Sequence, residues 1–402
     1  MLKKTDSKAG LGDPAEWGEM TRLVRGGLDR GHHGETAEAL YLNSGFVYPD
    51  GETAEARFAG TEEGYVYARY GNPTVTMFEE RLRLLEGSEA CYGVASGMAA
   101  VWGALGCQLE AGDHIVSSRA LFGSCYQVIT AILARFGVSH TLVDGSLAAD
   151  WRQAVRPQTK VFFLETPSNP TLEIIDLETV CRVGHEVGAC VVVDNIFATP
   201  VLQKPLRFGA DVVVYSGTKH IDGQGRVLGG AIMSTKKFKD EVLKPFLRHT
   251  GPSLSPFNAW VLLKGLETLK LRVVHQCNAA LEVARALEGL PGLARVIYPF
   301  LDSHPQADLA RRQMSAGGTL VTFEVEGGKD HAFDLLRRLR IIDISNNLGD
   351  AKSLITHPAS TTHRNIGAEA RDRMGITEGM LRLSVGLEDV EDLVKDLRQA
   401  LV

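Results

Sequence analysis

The sequence predicts an α/β protein that has a large domain built on a parallel sheet and a smaller C-terminal α+β domain. Short β-branched runs alternate with helical patterns from His114 to Tyr215, which is typical of βαβ units. The chain has 402 residues, more than one hydrophobic core usually serves. Its pattern changes after the break Pro252-Ser-Leu-Ser-Pro256. We therefore predict domains at residues 61–252 and 253–402.

Composition and charge exclude several classes of protein. Hydrophobic residues make up 44% and charged residues 23% of the chain, as in ordinary soluble globular proteins. The formal net charge of −6 provides no basic field for nucleic acid or an anionic membrane. The N-terminal stretch lacks the apolar region of a signal peptide, and no apolar run is long enough to span a membrane. The six cysteines form no Cys-x-x-Cys pair, so we expect reduced cysteines in a cytoplasmic protein.

Residues 1–60 contain Gly-rich breaks and show no clear core pattern. We expect this segment to be an N-terminal arm that contacts a partner subunit. Within it, His32 and His33 are adjacent. Adjacent side chains point apart and no third ligand is near in the sequence, so no metal site is predicted.

Two segments after the arm could bind a phosphate. Tyr67 and Arg69 are two residues apart in a predicted extended segment at 65–74 and so lie on one face of it. Such a pair can bind phosphate oxygens. The alternative is a pair of surface side chains. Further on, Ser96 is a predicted helix N-cap, and Gly97 just inside that helix leaves main-chain N–H groups free for an anion.

Polar residues collect where the predicted strands end. Asp194 follows three valines, and Glu165 and Asn169 follow another apolar run. Ligands of open α/β sheets bind outside the carboxyl ends of the strands. A buried Asp194 carboxylate is costly unless it has a partner, whereas capping of a following turn is the alternative. The predicted strands are His114–Ser117, Ser139–Val143, Val161–Leu164, Cys190–Val193, Asp211–Tyr215 and Thr319–Val325, and the predicted helices are Leu121–Phe136, Leu177–Val187, Phe257–Leu287 and Asp330–Leu339.

The stretch from Asp211 to Lys219 is the most informative part of the sequence. Ser216, Thr218 and Lys219 come directly after a short, buried predicted strand. A lysine there would be partly desolvated, and its lowered pKa would let it form a Schiff base with an aldehyde. The two hydroxyls could hold a phosphate on the same molecule. These features predict pyridoxal 5′-phosphate (PLP) as cofactor, with Asp194 beside its ring nitrogen. A lysine that extends into solvent is the alternative.

The C-terminal part supplies a further candidate, Arg382. Leu381, Leu383 and Val385 alternate with it in the pattern of a half-buried strand. An arginine on such a strand can bind a carboxylate through two parallel hydrogen bonds. An exposed strand arginine is equally consistent with the pattern.

Taken together, these motifs resemble those of the PLP-dependent Cys/Met-metabolism family, which includes cystathionine γ-synthase, cystathionine β-lyase, methionine γ-lyase and the O-acylhomoserine sulfhydrylases. The resemblance extends in register from Tyr65 to Glu388. It rests on the motifs Tyr-x-Tyr-x-Arg-x-x-Asn-Pro-Thr, Ser-Gly-Met, Glu-Thr-Pro-x-Asn-Pro, Val-Asp-Asn, Ser-x-Thr-Lys and Arg-Leu-Ser-Val-Gly-Leu-Glu. The family implies the type I fold of PLP-dependent transferases, with a mostly parallel seven-stranded sheet in the large domain.

The resemblance also implies roles for the matching positions. Lys219 would bind the cofactor aldehyde and move protons, and Asp194 would pair with the ring nitrogen. Tyr67 and Arg69 would reach the phosphate from a neighbouring subunit, which implies a homodimer with shared active sites, and we expect a homotetramer. The other expected cofactor contacts are Gly97, Met98, Asn169, Ser216 and Thr218. The expected substrate contacts are Tyr67, Asn347 and Arg382, with Arg382 on the α-carboxylate.

Three departures from the common family pattern indicate a branch. Phe122 stands where most relatives have a tyrosine, so stacking on the cofactor ring remains but a phenol for proton transfer is lost. Gly223-Gln-Gly-Arg226 replaces the common Gly-His-x-Asp, and Asn347 replaces a serine. These departures resemble the O-succinylhomoserine sulfhydrylase branch, and they leave Lys219 to carry most of the proton transfer near Phe122.

The resemblance therefore predicts γ-replacement on O-succinylhomoserine by sulfide, which gives homocysteine and succinate for methionine biosynthesis. Cystathionine γ-synthase, O-acetylhomoserine sulfhydrylase and methionine γ-lyase are the alternatives within the family. A non-catalytic regulator with this fold would have a degraded lysine or aspartate motif, and the motifs around Lys219 and Asp194 are intact. A nicotinamide oxidoreductase is disfavoured because no Gly-x-Gly-x-x-Gly opens the first helix.

Overall fold

Two β-sheets organise residues 13–401, the part of the chain that the computed structural model describes. The larger sheet has seven strands in the spatial order β1-β7-β6-β5-β4-β2-β3, and only β7 runs antiparallel to its neighbours. This confirms the predicted α/β fold with a mostly parallel seven-stranded sheet. These strands are β1 (Ala90–Val94), β2 (His114–Ser118), β3 (Ser139–Val143), β4 (Thr159–Glu165), β5 (Cys190–Asp194), β6 (Val212–Ser216) and β7 (Gly230–Ser234).

The second sheet has five strands in the order β10-β11-β12-β9-β8 and is antiparallel except between β10 and β11. Its position in the C-terminal part agrees with the predicted α+β domain. These strands are β8 (Leu293–Ile297), β9 (Leu320–Val325), β10 (Asp343–Ile344), β11 (Leu354–Thr356) and β12 (Met380–Ser384).

Helices cover both sheets, and within residues 13–401 none is both long and apolar enough to cross a membrane. The α-helices are α1 (Glu19–Arg25), α2 (Gly51–Ala59), α3 (Pro73–Glu86), α4 (Gly97–Gly106), α5 (Gly123–Gln127), α6 (Leu133–Arg135), α7 (Ala148–Gln153), α8 (Leu177–Glu186), α9 (Thr199–Leu202), α10 (Lys236–Phe238), α11 (Lys244–Thr250), α12 (Pro256–Glu267), α13 (Leu269–Leu287), α14 (Ala307–Gln313), α15 (Gly328–Arg338), α16 (Ala368–Arg373) and α17 (Val390–Leu401). Shorter turns are 3-10 helical at Pro14–Glu16, Pro205–Phe208, Pro358–Ser360 and Arg364–Ile366, and π-helical at Val128–Ile132, Gly217–Ile221 and Lys239–Leu243.

The parallel strands are buried on both faces, which explains why they read as continuous apolar runs. On β4, Phe162 packs into the core on one face of the sheet and Phe163 into the core on the other. Neighbouring β5 does the same with Val193 and Val192. Both faces of this sheet are therefore closed by helices, and only its strand ends remain for a site.

The predicted helix Phe257–Leu287 is wrong as a single helix, because the chain bends at Thr268. The guanidinium of Arg272 binds the Thr268 hydroxyl at 3.1 Å and the Gly265 carbonyl oxygen at 2.8 Å, and so stabilises the bend. The predicted helix Leu121–Phe136 likewise starts later, at α5, and a π-turn interrupts it. Apolar periodicity runs through both places, so the pattern alone does not reveal them.

A second hydrophobic core lies between the five-stranded sheet and helices α13, α15 and α17. Helix α13 contributes to both cores, with Val273 in the first and Val283 in the second. Helix α12 packs on the first core through Leu262. The domain boundary at residues 252–253 stays a prediction.

Part of the N-terminal segment packs on its own chain, contrary to the expectation of no core there. Leu23 of α1 is fully buried in the core of the large domain, and Glu38 is buried against Arg81 of α3. Single buried residues give no periodic signal, which is why the sequence did not show them. The expected contact of residues 1–60 with a partner subunit stays a prediction, and residues 1–12 lie outside the described part.

Candidate active site

A cavity of about 260 Å³ opens at the carboxyl ends of β4, β5 and β6, where the sequence predicted a site. The β12 strand of the other domain closes it with one side chain, Arg382. The cavity lies between the two sheets, a common place for small-molecule sites. The predicted residues that line it are Gly97, Met98, Phe122, Asn169, Asp194, Ser216, Thr218, Lys219 and Arg382.

Lys219 lies in the π-helical turn Gly217–Ile221 that follows β6. Its Nζ donates a hydrogen bond to Asn347 Oδ1 at 2.6 Å. Burial, together with the positive charge of Arg382, lowers the pKa of the Lys219 amine to about 8. A larger share of neutral amine is then present near neutral pH than for an exposed lysine, which suits attack on an aldehyde and removal of a proton.

Asp194 and Glu165 form a pair of buried carboxylates. They end the adjacent parallel strands β5 and β4 and are direct register partners. Burial raises the pKa of Asp194 to about 7, and the N–H of Ile196, which donates to Oδ1 at 3.0 Å, opposes this shift. Burial and the charge of Asp194 raise the pKa of Glu165 well above its usual range. Neither carboxylate has a Lys, Arg or His within ion-pair distance among residues 13–401.

Arg382 is buried and also lines the cavity. Its Nη1 donates to Asn169 Oδ1 at 2.9 Å, and its Nη2 donates to the carbonyl oxygen of Asn346 at 2.9 Å and more weakly to that of Asn347 at 3.4 Å. Its Nε is buried without a partner, and no carboxylate within the described chain pairs with the guanidinium. A buried arginine with an incomplete set of partners suits an anionic ligand such as a substrate carboxylate.

The first turn of α4 faces the same cavity. Ser96 caps this helix by accepting the N–H of Ala99 at 3.1 Å, as predicted. Gly97 lies so close to Ser216 that a Cβ atom there would come within 2.6 Å of the Ser216 Cβ. The helix N-terminus and the Ser216 hydroxyl therefore meet with no side chain between them, which suits the oxygens of a phosphate.

Thr218 and Phe122 also line the cavity. The Thr218 hydroxyl already exchanges hydrogen bonds with the main chain of Gly229, at 3.2 Å from the N–H and 3.4 Å to the carbonyl oxygen. Phe122 lines the cavity, and its main-chain N–H donates a hydrogen bond to Glu165 Oε2. No tyrosine or histidine lines this cavity in the described part of the chain, so the Lys219 amine is its one basic side chain suited to moving protons.

Tyr67 and Arg69 do not reach this cavity within one chain. Tyr67 is 42% exposed. Arg69 donates to the Arg248 carbonyl oxygen and lies 4.6 Å from the ring centre of Tyr70. The two residues lie at the start and middle of a turn rather than on one face of an extended piece, which corrects that prediction. Their action from a neighbouring subunit stays a prediction.

The departures from the family pattern differ in how close they lie to the site. Phe122 lines the cavity, and Asn347 binds the Lys219 amine rather than lining the cavity itself. Gln224 is exposed, and Arg226 pairs with Asp222, its Nε lying 2.8 Å from Oδ1. The 223–226 stretch therefore lies in a surface turn and contributes no side chain to the cavity.

The residues present fit the predicted cofactor. An amine of lowered pKa, a bare helix N-terminus beside Ser216, and the buried Asp194 carboxylate without a cationic partner share one cavity. These suit an aldehyde, a phosphate and a protonated ring nitrogen, three of the functional groups of PLP. No role was predicted for Glu165, although its position directly after an apolar run was a usable signal. Phe197, Asn346 and Leu348 also line the cavity, and they carry no recognisable sequence pattern.

Comparison with known proteins agrees with this geometry. The family model of Cys/Met metabolism PLP-dependent enzymes matches residues 20–402. An O-succinylhomoserine sulfhydrylase from Mycobacterium tuberculosis is 55% identical over 382 residues, which are 94% of this chain and 94% of that protein. Another, from Pseudomonas aeruginosa, is 46% identical over 381 residues, 95% of this chain and 94% of the other.

A solved structure shows the same fold. A putative O-acetylhomoserine (thiol)-lyase from Campylobacter jejuni has a TM-score of 0.92 at 32% identity, covering 96% of this chain and 100% of its own. That structure contains an N′-pyridoxyl-lysine-5′-monophosphate.

Proposed function

The chain belongs to the Cys/Met metabolism PLP-dependent enzymes, and on that premise we propose that it replaces the γ-acyloxy group of O-succinylhomoserine with sulfide. The products are homocysteine and succinate, and the reaction belongs to methionine biosynthesis. The observation that carries the proposal is the cavity itself, in which Lys219, Asp194 and Arg382 face one another without a single ion pair among them. The identity of 55% with an O-succinylhomoserine sulfhydrylase supports the choice of ester.

Arg382 binds the α-carboxylate of the substrate. Its guanidinium is held in place by Asn169 and by the main chain at Asn346, and burial strengthens the hydrogen bonds that it donates to an anion. The substrate is thereby oriented with its α-carbon toward the Lys219 side of the cavity. Asp194, as a carboxylate, would keep a proton on the ring nitrogen of bound PLP, while Gly97, Met98, Ser216 and Thr218 would hold its phosphate.

Bound PLP supplies an electron sink that stabilises negative charge on the substrate α-carbon. Lys219 would then remove the proton from that carbon and, after giving that proton up within the site, would remove a proton from the β-carbon, so that succinate leaves from the γ-carbon. Sulfide adds at the γ-carbon, and Lys219 returns protons to the product. Asn347 accepts a hydrogen bond from the Lys219 amine at 2.6 Å and so keeps that amine near the reacting carbons. Phe122 lines the cavity and would pack on the ring of bound PLP without taking part in proton transfer.

The assembly and the location belong to the same proposal. We place the enzyme in the cytoplasm as a homodimer with shared active sites that pairs into a homotetramer. The support for a shared site is that Tyr67 and Arg69 lie outside the cavity of their own chain, with Tyr67 partly exposed.

A competition experiment tests the nucleophile. The purified enzyme, loaded with PLP, receives O-succinylhomoserine with equal concentrations of sulfide and cysteine, and the amino-acid products are separated and quantified. We expect mainly homocysteine, formed together with one succinate per turnover. Mainly cystathionine would make the protein a cystathionine γ-synthase and contradict the choice of sulfide. A parallel reaction with O-acetylhomoserine tests the ester, and faster turnover of the acetyl ester would contradict the succinyl assignment.

A further inference from the structure

Glu165 stands out in the cavity because its buried carboxylate has no ion-pair partner in the described part of the chain. It is the last residue of β4, is 3% exposed and lies directly beside Asp194 at the end of β5. Two adjacent buried carboxylates repel each other when both are ionised. Within residues 13–401, no basic side chain lies within 4.0 Å of either one. An uncharged side chain would therefore cost less free energy of folding at this position.

The contacts of Glu165 indicate what its carboxylate does. Its Oε2 accepts the main-chain N–H of Phe122 at 2.8 Å. Phe122 occupies the N-cap position of α5 and caps it with no side-chain hydrogen bond. Helix α5 continues through the π-helical turn Val128–Ile132 into α6, and Phe122 immediately precedes its first residue. The segment that carries the Phe122 ring is therefore held at its start by Glu165.

We propose that Glu165 is a positioning residue for the cofactor and the reaction: by accepting the Phe122 N–H, it fixes the place of the Phe122 ring against the PLP ring. This inference rests on the proposed function for the identity of the cofactor and the reaction. Phe122 replaces the tyrosine that is usual in the family, so the ring contributes contact alone and its placement is its whole contribution. The hydrogen bond gives that placement a fixed reference on the rigid sheet.

Three variants test the proposal. Glu165→Ala removes the acceptor. Glu165→Gln keeps an amide oxygen for the Phe122 N–H but removes the charge. Asp396→Ala is the matched control, because Asp396 is equally buried at 3% exposure and accepts the N–H groups of Ile341 and Ile342 at 2.9 and 3.0 Å in the other domain. For each variant, the visible circular dichroism per bound PLP, the dissociation constant of PLP, and kcat and KM for O-succinylhomoserine are measured.

We expect Glu165→Ala to lose much of the visible circular dichroism and to lower kcat by about 10- to 100-fold, with KM changed much less, because a misplaced ring affects the reacting geometry more than substrate capture. Glu165→Gln should have a visible circular dichroism and a kcat close to those of the wild type. Asp396→Ala should lower the thermal unfolding midpoint and leave the dichroism per bound PLP unchanged.

Unchanged dichroism in Glu165→Ala would overturn the proposal, as would a Glu165→Gln variant that is as defective as Glu165→Ala. Wild-type protein that binds PLP but turns over no O-succinylhomoserine would instead overturn the proposed function. The dichroism of the three variants would still decide whether Glu165 positions the ring.

Discussion

Two buried arginines in this chain have opposite environments. Arg81 of α3 is fully buried, pairs with the Glu38 carboxylate and donates its Nε to the Gly26 carbonyl oxygen at 2.8 Å. Arg382 of β12 is equally buried, but its Nε has no partner and no carboxylate of residues 13–401 pairs with it. Burying an unpaired charge costs several kcal/mol, roughly, even after relaxation. Arg81 therefore has an ionic partner within the fold, whereas Arg382 has none in the described chain, as we expect for a residue that binds an anionic ligand.

The same contrast extends to the neighbours of each arginine. Around Arg81, Lys264 Nζ lies 3.0 Å from Glu38 Oε2 and Glu267 Oε1 lies 3.6 Å from Arg81 Nη1. Charges in the cavity remain apart, although Lys219, Asp194 and Arg382 line one volume of about 260 Å³. The first network fastens the N-terminal segment to the large domain. The charged side chains of the cavity form no ion pairs with one another, which is the arrangement expected where binding rather than stability is served.

The largest expected effect comes from removing the amine of the cavity. Lys219→Ala should abolish turnover and prevent borohydride from fixing PLP to the protein, because no other amine lines the cavity in the described chain. Lys204→Ala is the control, since the Lys204 amine is also partly buried but donates to the Leu85 carbonyl oxygen outside the cavity. Mass spectrometry after reduction measures the attached cofactor. Retained turnover in Lys219→Ala would overturn the assignment.

Replacing the arginine that lacks a partner should affect the reaction more than the fold. Arg382→Leu should lower kcat/KM for O-succinylhomoserine by about 1,000-fold, roughly 4 kcal/mol, since a charge-assisted pair to the α-carboxylate is lost. Arg382→Lys should have a kcat/KM between those of the wild type and Arg382→Leu, because an ammonium keeps the charge but not the parallel hydrogen bonds. Steady-state kinetics and denaturant unfolding measure both properties. Equal losses in unfolding free energy for Arg382→Leu and for a variant at Arg81 would remove the distinction.

Replacing Arg81, the arginine that has a carboxylate partner, should affect the stability of the fold more than the reaction. Arg81→Met leaves Glu38 buried with a weaker set of partners and should lower the free energy of unfolding by about 3 kcal/mol, with kcat per folded molecule unchanged. The double variant Arg81→Met with Glu38→Leu should recover part of that loss, because no charge then remains unpaired. Urea unfolding of the wild type, Arg81→Met and the double variant provides the comparison. A double variant less stable than Arg81→Met would show that the network does more than neutralise charge.

The sequence revealed the cavity better than it revealed the network. Lys219, Asp194 and Asn169 follow continuous apolar strands, and the carboxyl ends of parallel strands meet at one edge, so their convergence could be predicted. Arg382 was less certain, because alternation does not separate a half-buried strand from one buried on both faces, and β12 proved to be buried throughout.

Long-range pairing accounts for most of what the sequence did not reveal. Arg81 and Glu38 are 43 residues apart and Glu38 lies in a segment without periodicity. Glu165 and Asp194 become neighbours only because β4 lies beside β5 in the sheet, a strand order that no local pattern contains. The bend at Thr268 depends on Arg272 one turn later and on Gly265 one turn earlier. Such features are set by tertiary contacts rather than by local propensity.

The smallest expected effect concerns the stability contribution of the Asp194 carboxyl, and it tests the comparison most directly. In the chain without cofactor, burial raises the pKa of Asp194 from an ordinary 3.8 to about 7. The unfolded chain therefore loses this proton at lower pH than the folded chain, so the carboxylate costs stability that is absent below about pH 4, grows as the pH rises, and is complete above about pH 7. This pH dependence of stability is opposite in sign to that of a carboxylate paired with a cation, whose pKa is lowered on folding.

Asp194→Asn keeps an oxygen for the Ile196 N–H, which Oδ1 accepts at 3.0 Å, and removes the charge. We expect the cofactor-free variant to be more stable than the wild type by on the order of 2 kcal/mol at pH 8. Because this gain comes from the ionised form, it should shrink toward zero at pH 4. In the PLP-loaded proteins the order should reverse, because the wild-type carboxylate then has a cation to pair with. Thermal unfolding of both proteins from pH 4 to 8, with and without PLP, measures this. A gain independent of pH would mean that the charge of Asp194 is already compensated within the chain, and the contrast with Arg81 would then fail for the carboxylate side of the cavity.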